Sequence, residues 1–450
     1  MSIIVSKYIK KFSGKYLKKL GKRKITLIEI YMASLFHTHG KITLSALSRN
    51  VVLEQRFKTT VGKFFGRDGF RSREQYRSIL QHEINRVLLT HRNEGKWFLA
   101  IDPTSTKRGG FTKIENALQY KDKYNTKLRE PKKSQKKSKK NSGRSTKAHT
   151  FVIAILIAPD GTRIPFTRYT YYTKEYCKNH KKKYLKQTEL ALMMIKELRK
   201  YLPDAIQPIV LADNAFDCNK IFQYCKSKNI AFITVANSNR VYLYSKKQTI
   251  TKNLLSRGQN KNRANYQSFR YVKGQEPLTR LHNRYANENQ KKKIQHSYSV
   301  MGEILEFSNL GELNVVFSYK HRKMKKDSFC ILLCSELSFT AEEIVEFYAL
   351  RWQVEIFFRE LKSELGLGDY SGQDFKSYER YIDFLLISYL FLEYYRRVKI
   401  EHENSRKEIG KFKNMRTRSL ISQFRKDSMI ESFDYLRNNI GSDFYKNVAA

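Results

Sequence analysis

The spacing of apolar and polar positions predicts that the chain begins with helices. Apolar residues recur at helical spacing over 25–36 and again over 73–89. A short element is predicted over 43–50, with Thr43 as its N-cap. Together these patterns predict a helical domain over residues 1–95.

The charges of this first region suggest a ligand. Residues 1–25 carry nine Lys or Arg and no acid, and basic residues alternate with apolar ones over 56–66. A small basic helical domain of this kind can dock on duplex DNA. A helical cap that packs on a catalytic domain, with solvated charges, has the same pattern, and both interpretations stay open at this point.

The pattern changes to alternating strands and helices over residues 96–236, which predicts a mixed α/β sheet. The predicted order is a strand over 97–102, a hairpin of 149–158 and 162–172 around Pro-Asp-Gly, a helix over 184–201, a strand over 208–213, a helix over 217–227 and a strand over 230–236. Within this region, residues 121–147 carry twelve Lys or Arg and only two acids, so we expect a flexible basic loop there.

The second half of the chain is predicted to contain a β-rich insertion and then helices. Short strand patterns occur within 237–340, and its first part, 237–300, has fourteen Lys or Arg, two acids and seven Tyr or Phe. That mixture suits contact with a nucleic-acid backbone and unstacked bases, although a β-rich insert with an exposed basic face would look the same. Residues 341–400 are predicted to be helical and to complete the α/β domain that begins at residue 96, and 401–450 to form a helical tail.

Composition points to a polyanionic partner. The 450 residues include 87 Lys or Arg and 42 Asp or Glu, for a net charge of +45, and 41% of the residues are hydrophobic. This excess favours nucleic acid over a membrane surface as the partner. No apolar run reaches the roughly 18 residues of a membrane span, and no apolar stretch follows the basic start, so we expect a cytoplasmic protein. The five Cys have no paired spacing and are expected to be buried, reduced thiols.

The segment 347–368 places four functional side chain types on one stripe of a predicted helix. At about 100° per residue, Tyr348, Arg351, Glu355 and Lys362 fall within a stripe of about 60°. The apolar positions of the segment lie largely on the opposite side. A solvated face with a common i,i+4 ion pair would give the same pattern, so the helix alone does not decide between the two.

Two further carboxylates make a catalytic interpretation more favourable. Asp102 and Asp213 are each predicted to end an apolar strand, and ligands bind at the carboxyl ends of strands in open α/β sheets. With Glu355 they would form three convergent carboxylates, which repel one another unless a cation lies among them. Oxygen ligands favour Mg²⁺ or Mn²⁺, so a site for two metal ions is expected, suited to in-line displacement at phosphorus.

These residues resemble a known family. The helix matches the Y-x2-R-x3-E-x6-K signature of bacterial insertion-sequence transposases of the DDE class, and IDPTST (101–106) and LADNAFD (211–217) resemble that family's two Asp motifs. The resemblance spans roughly residues 96–400. It departs from the family pattern in the long interval between the two Asp residues, which contains the basic loop.

The resemblance implies an RNase H-like catalytic fold, a mixed sheet with flanking helices interrupted by a mostly β insertion. It implies that Asp102, Asp213 and Glu355 bind the metals, that Arg351 and Lys362 hold DNA phosphates and that Tyr348 supports the DNA end. The implied activity is cleavage at the ends of an insertion sequence and strand transfer into target DNA, by a dimer on paired double-stranded DNA ends in a bacterial nucleoid.

Two other functions remain as alternatives. One is a transposase-derived DNA-binding protein without catalysis, and the other is a basic RNA-binding protein. Several residues near the motifs are given minor roles: His149 is expected to be structural, Asn214 could tune Asp213, Thr104 and Lys107 could touch substrate or form a turn, Asp217 is expected to cap a helix, and Trp97 and Trp352 are expected in the core.

Overall fold

In the computed structural model of the chain, one mixed sheet runs through the molecule. The structure describes residues 4–49, 58–66, 72–91, 95–107, 115–121, 145–237, 240–242, 267–270, 297–319, 329–370, 374–403 and 406–439. The described strands are β1 (Phe98–Lys107), β2 (Leu118–Lys121), β3 (Ser145–Ile157), β4 (Arg163–Tyr171), β5 (Ile209–Ala212), β6 (Ala231–Val235), β7 (Gln267–Arg270), β8 (Ser297–Phe307), β9 (Gly311–Tyr319) and β10 (Phe329–Cys334).

The order of the strands separates the sheet into two parts. The path is β2-β3-β1-β5-β6-β10-β9-β8-β7, and β4 also pairs with β3. Strands β3 and β4 form the predicted hairpin, β3 is antiparallel to β1, and β5 and β6 run parallel to β1. The strands of the predicted insertion continue the same sheet, because β10 pairs antiparallel with β6.

The centre of the sheet is buried on both faces. The β3 residues from Phe151 to Ile157 are all completely buried and form an unbroken apolar run. Such runs are typical of strands that are covered by helices on both sides, whereas half-exposed strands alternate. The hydrophobic pattern therefore identified this segment correctly as a strand, and the structure shows that it lies in the core.

Helices surround the sheet, and most of the predicted ones are present. They are α1 (Lys7–Tyr16), α2 (Lys22–His37), α3 (Leu44–Arg49), α4 (Lys58–Gly66), α5 (Ser72–His91), α6 (Lys174–Asn179), α7 (Gln187–Leu198), α8 (Asn219–Ser227), α9 (Ala341–Ala349), α10 (Trp352–Ser363), α11 (Phe375–Glu401), α12 (Arg406–Asn414) and α13 (Thr417–Asn439). The Thr43 Oγ1 accepts a hydrogen bond from the Ala46 backbone N–H at 3.1 Å, which confirms Thr43 as the N-cap of α3.

Helix α11 lies at the centre of the helical layers. It is buried around its whole circumference from Tyr381 to Tyr395, as expected for a helix that is apolar on all sides. The ring centroid of Phe391 lies 5.5 Å from Phe12 in α1 and 5.3 Å from Phe424 in α13. The first helices and the last helix thus pack on α11 and share one hydrophobic core with the sheet.

Some predicted features lie outside the described residues. Almost all of the basic loop, residues 122–144, belongs to this group, as does most of 237–300. Within the described part of the chain, no cysteine pairs with another, and Cys177, Cys225 and Cys334 are buried. No helix in the described ranges is both long and apolar enough to cross a bilayer.

Candidate active site

The parallel pairing of β1 and β5 brings Asp102 and Asp213 to one edge. The last paired residues of these strands are Ile101 and Ala212, and each is followed directly by an aspartate. Since neighbouring parallel strands lie about 4.8 Å apart, the two carboxylates begin from adjacent backbone positions. The structure therefore brings these two predicted site residues together.

The prediction that Asp102 ends its strand is wrong. Strand β1 continues to Lys107, paired with β3 through Asp102↔Ile153 and on to Lys107↔Ala148. Only the pairing of β1 with β5 stops before Asp102. The Trp97 carbonyl accepts a hydrogen bond from the Ile209 N–H. Because backbone N–H and C=O groups point to alternate sides along a strand, those of residues 99, 101 and 103 also face β5. Because Pro103 has no N–H to donate, the β5 ladder ends just where Asp102 projects.

Asp213 is held by hydrogen bonds on both sides. It caps a short 3₁₀ helix, Asn214–Phe216, and its Oδ1 accepts from the Ala215 N–H at 3.0 Å. Its backbone carbonyl accepts from the Thr234 Oγ1 at 2.7 Å, which ties it to β6. One carboxylate oxygen of Asp213 is thus used locally.

The segment that carries Glu355 is two helices rather than the single helix that was predicted. Tyr348 lies in α9, and a turn at 350–351 leads into α10, which carries Glu355 in its first turn and Lys362 in its last. The buried face of α10 anchors the helix and leaves Glu355 partly exposed. The backbone at the turn stays in the α region, so the predicted stripe is kept approximately.

Arg351 joins two of the carboxylates. Its Nη1 lies 3.6 Å from the Asp102 Oδ1, and its Nη2 donates to the Glu355 Oε1. Its guanidinium also lies 5.9 Å from the ring centroid of Tyr348. The side chains of Asp102 and Arg351 are 14% and 15% exposed, so this contact is largely shielded from water.

The charges of the site act on one another. Burial raises the pKa of Asp102 to about 7, Arg351 opposes this, and the negative charges of Asp213 and Glu355 add to it. Burial also raises the pKa of Asp213, against the Ala215 N–H and Arg351. Lys362 is exposed as a residue, but partial burial of its side chain lowers its pKa, and Asp102 partly offsets that effect. Among the described residues, Arg351 is the cation in direct contact with these carboxylates, and Lys362 lies near enough to affect the pKa of Asp102.

The carboxylates do not form a metal-ligand cluster. No group of three or more His, Cys, Asp or Glu side chains within the described ranges is arranged to hold a metal ion. Arg351 instead contacts both Asp102 and Glu355. The donor chemistry itself fits Mg²⁺ or Mn²⁺, since carboxylate oxygens are their preferred ligands and excess negative charge favours a cation.

Two side chains near the site were missed or misjudged from the sequence. Trp352 was expected in the core, and this is wrong, because it is 48% exposed at the start of α10. Arg359 lies with Glu355 and Lys362 in a shallow cleft. The i,i+4 spacing from Glu355 to Arg359 was a signal that could have identified it.

The minor candidates have structural surroundings. His149 is buried, its Nε2 lies 2.8 Å from the Glu115 carbonyl, and its ring packs against Phe375 and Tyr378. Trp97 is buried as expected. His149 thus fits the structural role that was expected of it.

Asp217 does not cap helix α8, which contradicts the prediction, because the N-cap position is Cys218. Its carboxylate instead accepts from the Arg240 Nε at 2.9 Å and from the Asn237 backbone N–H at 2.8 Å. The end of the LADNAFD motif is therefore bound to the chain that leaves β6. Thr104 is buried, whereas Asn214, next to Asp213, and Lys107, at the far end of β1, are exposed.

Comparison with known proteins agrees with this geometry. Residues 93–391, well over half of the chain, match the family model described as transposase DDE domain, which indicates transposase function. The matched range begins just before β1 and ends within α11, so it includes all three carboxylates. A search of curated proteins gives no match. The chain belongs to the transposase DDE domain family.

Proposed function

We propose that the protein cuts DNA at the ends of an insertion sequence and joins those ends to target DNA, with Asp102, Asp213 and Glu355 as its catalytic residues. The observation that carries this proposal is their convergence. Asp102 within β1 and Asp213 just after β5 each follow the last paired position of two adjacent parallel strands, and Arg351 links Asp102 to Glu355. These contacts support a single site formed by the three carboxylates of the signature.

We further propose that the catalytic domain is RNase H-like. The support is the strand order β4-β3-β1-β5-β6, with β3 antiparallel to β1 and β5 and β6 parallel to it. The insertion then separates β6 from α9 and α10, which bring Glu355 back to the sheet. The proposed domains are those predicted above: 1–95, 96–236, 237–340, 341–400 and 401–450.

Two divalent ions, Mg²⁺ or Mn²⁺, are proposed as cofactors held by the three carboxylates. When bound, they would activate the attacking oxygen and stabilise the leaving oxygen of an in-line displacement. The chain's own part is to present ionised carboxylates, and the raised pKa of Asp102 makes its ionisation dependent on a nearby cation. Arg351 supplies part of that positive charge in this structure.

Both steps of the reaction exchange one P–O bond for another. In the first, a water oxygen attacks the phosphorus at the element end, the P–O3′ bond breaks, and the 3′-hydroxyl is released. In the second, that 3′-oxygen attacks a phosphorus of the target DNA, and a target 3′-hydroxyl leaves. Because bond number is conserved, neither step needs a nucleotide cofactor.

The cations of the signature are proposed to hold the DNA. Lys362 is exposed at the end of α10, close enough to Asp102 to affect its pKa, and can meet a phosphate beside the carboxylates. Arg351 can exchange its contact with Glu355 for a phosphate, since guanidinium groups bind both anions in the same fork geometry. Tyr348 lies next to Arg351 and would support the DNA end.

The remaining parts of the proposal follow from the family. Double-stranded DNA is the proposed partner, as terminal repeats and as target, and a dimer on paired ends is the proposed assembly in the bacterial cytoplasm. Helices α1–α5 are the proposed duplex-binding region. Their net positive charge is compatible with that role, as is their packing on α11.

The proposal is tested by strand cleavage of duplex DNA that contains the sequences flanking this gene, with Mg²⁺ or Mn²⁺. We expect metal-dependent nicking by the wild type and a loss of at least about 10³-fold in Glu355→Gln, because stabilisation worth several kcal/mol is removed. The control is Glu342→Gln, the same change in the first turn of α9. If wild type and Glu355→Gln bind DNA equally and neither cleaves with any divalent metal, the protein is a DNA-binding protein without catalysis.

A further inference from the structure

A second cleft, which contains none of the three carboxylates, lies along the outer edge of β4. Its volume is about 680 Å³, and it is lined by residues of α5, β4, α7 and α11. Among the described strands, β4 pairs only with β3, so this cleft follows an edge of the sheet. None of the motifs discussed above includes its residues.

The lining of this β4 cleft is strongly basic. Six of its cations reach its surface from two helices, α5 and α11, and one loop. They are Arg73, Arg77, Lys182, Lys183, Lys376 and Arg380. The two acids in the lining, Glu379 and Asp383, leave a clear excess of positive charge. A concave surface of one sign concentrates oppositely charged ligands.

The two acids are already used inside the protein. Asp383 accepts from the Arg168 Nε at 2.6 Å and from the Ser72 Oγ at 2.9 Å. Glu379 accepts from the Tyr172 hydroxyl at 3.3 Å and from Thr170. The acids of the lining therefore compensate buried Arg168 first, and Arg77 is paired with a different acid, Glu197, at 3.2 Å.

The lysines at the mouth of the cleft are exposed. Within the described part of the chain, Lys182, Lys183 and Lys376 form no ion pair with an acid. Lys182 lies 4.2 Å from the ring centroid of Tyr172, which holds its ammonium over the cleft. These groups are available to an incoming anion.

Deeper in the cleft, Arg73 has an incomplete set of partners. Its Nη2 donates to the Thr167 Oγ1 at 2.9 Å, but its Nη1 is buried and makes no hydrogen bond. The nearest acid to Nη1, Asp383, is 3.9 Å away and already paired with Arg168. Burial lowers the pKa of Arg73, and the charge of Arg168 adds to the effect. An anion in the cleft would supply the missing acceptor.

The cleft is close to the proposed active site. Asp102, Ile153 and Arg168 form one row across β1, β3 and β4, so Asp102 and Arg168 are two strand spacings apart, about 10 Å. Helix α11 packs over β1 and β4 on this side, because Tyr378 contacts Thr106 of β1 while Glu379 contacts Thr170 of β4. About three base-pair steps of B-DNA, at 3.4 Å each, cover this separation.

We propose that the β4 cleft binds the phosphate backbone of duplex DNA a few base pairs from the phosphate that is cut. The identity of the ligand as DNA rests on the proposed function, whereas its anionic character rests on the cations of the cleft. The cleft would hold the duplex at the edge of β4 while the carboxylates act on the phosphate that is cut.

The test compares two variants of the full chain with the same change in charge. Lys183→Glu with Lys376→Glu alters the cleft, and Lys220→Glu with Lys228→Glu alters exposed positions at α8, four strands away in the sheet. Affinity for a fluorescent duplex is measured by anisotropy over a salt series. For the cleft variant we expect a slope of log K against log salt that is shallower by about 1.8, and affinity at least about tenfold weaker at 0.15 M salt.

The outcomes separate this inference from the proposed function. It is overturned if the cleft and α8 variants lose affinity equally, if the cleft variant keeps the wild-type slope, or if only single-stranded RNA binding changes. If the wild type cleaves DNA and the cleft variant keeps the wild-type slope of log K against log salt, only the inference about the cleft is overturned. If the cleft variant has a shallower slope but the wild type does not cleave DNA, the proposed catalysis is overturned and the DNA-binding cleft stands.

Discussion

Acidic side chains contact arginines in two regions of this molecule, and the two regions differ in how many acids each arginine contacts. On β4, Arg163 donates to the Glu360 Oε2 at 3.0 Å, and Arg168 donates to the Asp383 Oδ1 at 2.6 Å. The Arg163 side chain is completely buried, and Tyr389 donates a further hydrogen bond to Glu360 at 3.3 Å. These pairs attach α10 and α11 to the sheet.

At the proposed active site the acids exceed their partners. Arg351 serves both Asp102 and Glu355, and Asp213 adds a third negative charge. The Glu355 and Asp102 side chains are 31% and 14% exposed, against 11% for Glu360 and 3% for Asp383. Buried pairs of one acid with one arginine fix the helices. Three partly exposed carboxylates around a single arginine are instead suited to bind a cation. The difference in balance thus separates a structural role from a proposed catalytic one.

The largest expected effect comes from breaking a matched pair. Glu360→Ala should lower the free energy of unfolding by about 3–5 kcal/mol, because it leaves Arg163 buried without its acid. Glu355→Ala, five positions earlier on the same helix, should cost less than about 1 kcal/mol, because its side chain is 31% exposed. Urea unfolding of both variants measures this. Equal losses would contradict the division of roles.

Asp102→Asn should raise stability above neutral pH. In the folded protein the pKa of Asp102 is raised to about 7 from 3.8, so between these values the folded state holds a proton that the unfolded chain releases. Wild-type stability therefore falls as pH rises from about 4 to 7, by about 1–3 kcal/mol after allowance for partial exposure. Thermal unfolding in EDTA should show the variant more stable at pH 8 and equal to wild type at pH 4.

A constant difference between Asp102→Asn and wild type from pH 4 to 8 would contradict this account. Asp434→Asn provides a matched control, since Asp434 is exposed on α13. Its stability relative to wild type should not depend on pH over the same interval.

The smallest effect is expected for a single phosphate contact. Lys362→Ala should reduce the slope of log K against log salt for DNA ends by about 0.9 and weaken binding several-fold at about 0.15 M salt. Its free energy of unfolding should stay within about 0.5 kcal/mol of wild type, because Lys362 lies off the buried face of α10. Unchanged DNA binding would remove Lys362 from the proposed contacts.

The sequence predicted the strands of this fold well where a run of buried apolar residues marks them. The apolar runs located β3, β5 and β6 to within a few residues. The end of β1 could not be found in this way, because residues 103–107 are polar and depend on tertiary contacts. The Thr106 Oγ1, for example, accepts from the Tyr378 hydroxyl of α11 at 2.7 Å.

For the proposed site, local spacing predicted the pairing of Arg351 with Glu355, since residues four apart on a helix are neighbours. The contact of Arg351 with Asp102 and the raised pKa of Asp102 depend on burial between distant segments, which spacing does not show. The turn at 350–351 interrupts a continuous apolar pattern and leaves Trp352 exposed. The β4 cleft had no sequence signal, because its cations come from four separate segments.

The central claim is that Asp102, Asp213 and Glu355 together hold divalent metal, and it can be tested by mapping where the metal binds. Fe²⁺ is added in place of Mg²⁺ to the protein with duplex DNA, hydroxyl radicals are generated, and backbone cuts are located by mass spectrometry. We predict cuts near residues 102, 213 and 355 that excess Mg²⁺ suppresses, that Asp102→Asn abolishes and that Glu342→Gln leaves unchanged. Cuts elsewhere, or equal cutting in Asp102→Asn, would contradict the account.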